Sequence, residues 1–85
     1  MSNSELLQFP CSFPLKAIGA GVDDFEALVV SIVRRHAPGI DAVASRPSAG
    51  GKYLGVTVTF VAESREQLDA LYRELSAHPR VVMLL

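Results

Sequence analysis

The chain has a single cysteine, Cys11, and no tryptophan. One thiol cannot close an internal disulfide, and it cannot supply the clustered thiolates of a structural zinc site. Cys11 reads as a small residue in an apolar segment; a reactive thiol is the alternative, and no neighbouring residue in the sequence selects it. The two histidines, His36 and His78, lie outside any metal-ligand spacing. Each falls near the end of a predicted helix, where a charged or hydrogen-bonded imidazole is favourable. Neither sign of charge is in excess: eight basic residues face nine acidic ones, a net charge of −1. That balance argues against a dedicated nucleic-acid binder, which carries a basic face, while leaving room for a local basic patch. No apolar run approaches the ~20 residues of a membrane span. Residues Met1 to Glu5 lack the basic start and apolar stretch of a signal peptide. The expectation is a cytoplasmic protein with no membrane and no nucleic acid among its partners.

Eighty-five residues suffice for one domain. A chain of this size buries only ~60–65% of its unfolded surface, so the core is modest. The most informative stretch runs from Gly50 to Leu75. Leu54, Val56, Val58, Phe60 and Ala62 alternate with Gly55, Thr57, Thr59 and Val61, the period-two pattern of a strand with one buried face. Gly50 and Gly51 ahead of it suit a hairpin turn. Ser64 with Gln67 three residues later forms a capping-box pattern. Leu68, Leu71, Tyr72 and Leu75 then fall on one helical face.

The same reading extends in both directions. Residues 1–12 form an N-terminal lead-in, with Leu6 and Leu7 as packing residues, and 13–85 a single domain. A first strand is expected over Phe13 to Ile18, with Phe13, Leu15 and Ala17 toward the core and Lys16 on the other face. Pro14 belongs near its start. Gly19, Ala20 and Gly21 break the strand, and Asp23 with Glu26 opens a helix in capping-box fashion. Phe25, Leu28, Val29, Ile32 and Val33 form its apolar stripe. Arg34, Arg35 and His36 close it at its negative end, and Pro38-Gly39 stops it. Ile40 to Pro47 reads as a short edge strand, and Val81 to Leu85 as the last strand. Strand–helix–strand twice over, joined by a hairpin, is the pattern of a ferredoxin-like α+β sandwich, βαββαβ. Right-handed crossovers give a four-stranded antiparallel sheet of order 4-1-3-2, two helices on one face and the other face open.

Catalytic chemistry is not written into this pattern. Asp23 and Asp24 read as helix-start residues rather than as an acid–base pair. Ser48 lies in no nucleophile motif. Gly19-Ala20-Gly21 sits where dinucleotide folds place a glycine-rich phosphate turn. The GxGxxG pattern fails at Asp24, and the two acids repel phosphate. A small amine or amino acid suits that turn better; a plain turn is the simpler reading. RNA recognition on this fold needs stacked aromatics on the open face, where Thr57 and Thr59 stand instead. No catalytic residue, metal site or cofactor is expected.

Several segments occur together in register: Phe9-Pro10, Phe13 through Gly19, Val33 through Pro38, Arg46-Pro47-Ser48, Gly51 through Leu54, and Leu71 through Leu75. As a set they resemble the YbeD-like family of small bacterial proteins of unknown function, over Glu5 to Leu85. The resemblance implies a ferredoxin-like fold similar to ACT-type regulatory domains. Those domains bind small ligands, often amino acids, near the turn after the first strand. The matching ligand-binding positions here are Gly19, Ala20, Gly21 and Asp23.

The functional expectation is a non-enzymatic regulatory or protein-interaction module. The alternatives are a stand-alone sensor of an amino-acid-like metabolite and, third, a small enzyme or enzyme subunit. The run Val81-Val82-Met83-Leu84-Leu85 is apolar on both alternations, so part of it must face the open side of the sheet. Lys16, Thr57, Thr59 and Val61 share that side and form the expected interface. A protein partner, a second copy in a homodimer, or the N-terminal segment with Leu6, Leu7 and Phe9 would cover it.

Overall fold

The computed structural model describes residues 8–85, with only the backbone described at Val22. Six elements follow one another: β1 (Cys11–Ala20), α1 (Val22–His36), β2 (Ile40–Pro47), β3 (Tyr53–Ala62), α2 (Arg65–Ala77) and β4 (Val81–Leu84). The sheet order is β2-β3-β1-β4, and all three pairings are antiparallel. This is the expected order read from the opposite edge.

The two ten-residue strands, β1 and β3, form the centre of the sheet and pair along their full length, from Cys11 opposite Ala62 to Ala20 opposite Tyr53. Alternation sets what each face meets. Leu15 and Ala17 on β1, and Leu54, Val56, Val58, Phe60 and Ala62 on β3, are buried against the helices. From α1 come Phe25, Val29, Ile32 and Val33; from α2 come Leu68, Leu71 and Leu75. Both apolar stripes therefore dock on the same side of the sheet. Phe13 joins the core's edge, tilted against Phe60 at 5.9 Å between ring centroids and edge-on to Tyr72 at 6.4 Å.

The helix ends show which local signals act. At α2, Ser64 Oγ accepts the Gln67 N–H at 3.0 Å. The returning Gln67 Oε1 takes the N–H of Glu63 at 2.7 Å, one residue ahead of the cap. Gln67 Nε2 also donates to the His36 carbonyl at 2.8 Å, tying the two helices together. At α1 the expected Asp23–Glu26 capping box does not form. Gly21 is the N-cap, in the left-handed region at φ 81, and no side chain caps the helix. Asp23 and Asp24 lie in the first turn, while Glu26 accepts the hydroxyl of Ser45 on the edge strand β2. The end of α1, unlike its start, uses no left-handed glycine. Ala37 is extended, as the residue before a proline prefers, and its N–H reaches the Val33 carbonyl at 2.7 Å.

Three boundaries move. The central ladder begins at Cys11, so Cys11 and Ser12 leave the predicted lead-in and join the sheet. At the far end β1 does not break at Gly19: that residue pairs with Leu54 and Val81, and only Gly21 makes the turn. The last strand stops at Leu84, although Leu85 still exchanges backbone hydrogen bonds with Lys16 at 2.8 and 3.3 Å. Leu6 and Leu7 lie outside the described residues. Phe9 packs against the core cluster, so it does not cover the open face.

Candidate functional site

Two places carry the polar chemistry that the core does not. The first is the turn from β1 into α1, where Gly19, Ala20, Gly21 and Asp23 were expected to hold a ligand. The turn is filled by Arg80, which stands between α2 and β4, sixty residues along the chain from Ala20. Its guanidinium donates to the carbonyls of Ala20 (3.0 Å) and Gly21 (2.7 Å). It also grips the Asp24 carboxylate in a two-pronged pair at 2.6 and 3.0 Å. The Phe25 ring lies 5.8 Å from the guanidinium carbon, within cation–π range. The hydrogen bond from Arg80 holds the Asp24 carboxyl below the usual carboxylate range, and the same pair raises Arg80. Gly19 lies beneath this contact: a Cβ there would stand 2.3 Å from the Arg80 carbonyl oxygen and from the Phe25 ring. Gly19, Ala20 and Gly21 are thus brought together with Asp24 and Arg80. Asp23 is exposed, with no side-chain hydrogen bond to this group.

The second place is the open face of the sheet. The register puts Lys16 and Ile18 of β1 beside Thr57 and Gly55 of β3, and Arg46 of β2 on the other side of Gly55. Thr59 and Val61 continue the face along β3, and Met83 of β4 lies beside Ile18. The four predicted interface residues, Lys16, Thr57, Thr59 and Val61, do share this surface. Thr57, Thr59 and Val61 are partly exposed, while Val82, Met83 and Leu85 are 60%, 51% and 62% exposed at the β4 side.

A third cluster joins the helix ends. Glu74 on α2 meets His36 Nε2 at 2.7 Å and the Arg35 guanidinium on α1. The His36 hydrogen bond, helped by Arg35, holds the Glu74 carboxyl below its ordinary value. The basic run at the end of α1 therefore braces one helix against the other. Burial raises the Tyr72 phenol, whose hydroxyl donates to the Leu85 carbonyl at 3.1 Å. Among the described residues no group of three or more His, Cys, Asp or Glu side chains is placed to hold a metal ion. Among them, too, no helix is long and apolar enough to cross a membrane.

Sequence reasoning placed Gly55 on the open face with Thr57, Thr59 and Val61 but missed Arg80 and Arg46 as members of these surfaces. Arg80 carries no local signal, because its partners lie at the opposite end of the chain. The β2 residues needed a register that alternation within one strand does not supply. Gly55, a glycine within a β-branched run, was a readable signal.

Fold and surface define a small ferredoxin-like α+β domain, one face of whose sheet is uncovered among the described residues. The solved structures agree on the fold. The H. pylori protein HP0495 superimposes with a TM-score of 0.77 at 14% identity, over 93% of this chain and 85% of that one. The C-terminal domain of the MgtC protein from Mycobacterium tuberculosis gives 0.73 at 15% identity, over 93% and 87%. In sequence the chain matches, over residues 4–85, the family described as "Protein of unknown function (DUF493)", and it belongs to that family. It is 47% identical to a UPF0250 protein of Paraburkholderia phytofirmans, over 98% of this chain and 96% of the relative. It is 50% identical to one of Leptothrix cholodnii, over 94% and 90%. These matches bear out the resemblance to small bacterial proteins of the YbeD-like group.

Proposed function

We propose that this protein is a non-enzymatic regulatory or protein-interaction module that engages a partner protein through the open face of its sheet. The observation that carries this reading is the apolar surface that the described residues leave uncovered on the β1–β4 side, where Ile18 and Met83 are neighbours and Met83 and Leu85 stand exposed. A small domain rarely leaves such a patch unused. Charge selects the kind of partner. The strand residues paired across this face include Lys16 and Arg46 and no carboxylate. Two copies laid face to face would bring like charges together, whereas a partner with acidic residues around an apolar centre complements the face.

Thr57→Arg tests this, because it puts a long charged side chain mid-face and leaves the core untouched. The expected result is an unchanged melting curve with loss of the partner retained by the parent chain. A parent mass twice that of the variant in light scattering would make the occupant a second copy instead. If the variant equals the parent in stability, mass and bound proteins, the face is solvated and the reading is wrong.

A second reading, a sensor of an amino-acid-like metabolite at Gly19, Ala20, Gly21 and Asp23, has one observation in its favour. That turn already holds a guanidinium through two carbonyls and a carboxylate. A cationic ligand would enter by displacing Arg80, so Arg80→Ala should respond to free arginine more strongly than the parent in thermal-shift measurements. A ligand at 100 times its dissociation constant adds about 2.7 kcal/mol. No shift in either protein across amino acids and guanidines would remove this reading.

A further inference from the structure

The geometry points to a second, unassigned site: an oxyanion-binding trough on the open face, floored by Gly55 and flanked by Lys16 and Arg46. It takes a small molecule carrying a carboxylate or phosphate on a short apolar body. Two adjoining depressions, of ≈ 190 and ≈ 340 Å³, share Lys16, Arg46 and Gly55. The smaller also meets Ile18, Ser48 and Tyr53. It lies below the ~300–1,000 Å³ of pockets for drug-sized ligands, which suits a metabolite.

Three observations converge on an anion. Among the described residues Lys16 and Arg46 enter no ion pair, nor do Arg34, Lys52 and Arg73; what sets these two apart is that they flank the same depressions. Two unneutralised cations beside one depression attract an oxyanion, and the Arg46 guanidinium presents paired donors to it. The Ser48 hydroxyl accepts the Tyr53 N–H at 3.1 Å, which leaves its own hydrogen to donate. Gly55 is the third. It lies inside a strand, and its φ is not in the left-handed region. A Cβ there would meet Lys16 Cε at 3.5 Å and the Arg46 carbonyl at 3.6 Å, ordinary van der Waals contacts. Neither the backbone nor the packing of this chain requires glycine at this position. A strand glycine often marks a place where a ligand or another backbone approaches closely, and this one lies at the floor of the trough. Ile18 and Tyr53 supply the apolar wall for its body.

The site is measured on the chain alone, so its fate is separate from that of the partner reading. Amide chemical shifts would be followed by NMR while inorganic phosphate, benzoate and uncharged benzamide are titrated into the whole protein. The expected result is saturable shifts from phosphate and benzoate, centred on Lys16, Arg46 and Gly55, weakening with added salt, with little response to benzamide. Phosphate acting alone, or benzoate alone, identifies which headgroup the trough takes. In the double variant Lys16→Gln, Arg46→Gln both side chains are exposed, so the fold is kept and the affinity should fall about tenfold or more. Gly55→Ala should raise the melting temperature while weakening the same anions. The proposal is overturned if no shift saturates, if shifts spread equally to Arg34 and Arg73, which also lack an ion pair among the described residues, or if neither variant alters the affinity.

Discussion

Gly19→Ala and Gly55→Ala are the same substitution in neighbouring strands, and they should act in opposite directions. Replacing glycine with alanine in a compatible backbone stabilises by about 0.4–1 kcal/mol, mostly by restricting the unfolded chain. At Gly55 nothing opposes that gain, since the new methyl meets its neighbours at 3.5 Å or more. At Gly19 the methyl would lie 2.3 Å from the Arg80 carbonyl and from two carbons of the Phe25 ring. Phe25 is fully buried and cannot swing out, and the carbonyl belongs to the backbone beside β4. Overpacking of this kind costs about 1–3 kcal/mol, sometimes more, and the net loss should be roughly 1–2 kcal/mol. A domain of this length has of the order of 4–13 kcal/mol to lose. At about 4–8 °C per kcal/mol, Gly19→Ala should lower the melting temperature by roughly 5–15 °C. Gly55→Ala should raise it by a few degrees. Thermal and urea melts followed by circular dichroism measure both. If Gly19→Ala proves neutral or stabilising, the Arg80 turn and the Phe25 ring are not packed over that glycine, and the account of the β1–α1 turn fails.

Two further expectations concern the helix ends. Replacing Arg34 and Arg35 together with glutamine should cost under about 1 kcal/mol in urea melts, since both are exposed and Glu74 keeps His36 as a partner; a loss several times larger would mean a buried network. Glu74 has a depressed folded pKa, so its stabilisation is fully present above the unfolded value and disappears as pH falls through the folded one. The melting-temperature gap between the parent and Glu74→Gln should therefore be open near pH ~6 and narrow only as pH falls below the ordinary carboxylate range; a gap that widens in acid would contradict the pairing.

Where neighbours in sequence decide the structure, the sequence was readable. The alternation of Leu54 to Ala62 specified β3 and its buried face, and Ser64 with Gln67 specified the start of α2. The same local logic misplaced the start of α1. Asp23 looks like a cap, yet Gly21 turns the chain two residues earlier and Arg80 claims the carboxylate of Asp24. Gly19 shows the limit from the other side. Beside Gly21 it reads as part of a turn, but its conformation is that of a strand. It is small because the Phe25 ring of the next helix and the Arg80 carbonyl from the far end of the chain press on it. The predicted interface residues do share one surface, since period two alone sorts them. Arg46 joins them only through the β2–β3 register, and the bulge between Ile40 and Ala42 shifts that register in a way no propensity reveals.

The antiparallel centre of the sheet also has a consequence for how the chain folds. β1 and β3 form its longest ladder, yet all of α1 and β2 lie between them in sequence. That ladder must wait for a large loop to close, and non-local pairing of this kind is slow. The β2–β3 hairpin needs only the short turn around Gly51 and belongs to the microsecond class of events. Arg46, Ser48, Tyr53 and Gly55 all ride on that hairpin. Most of the trough is therefore assembled in a local unit that can form ahead of the central ladder, and Lys16 completes it only when β1 arrives.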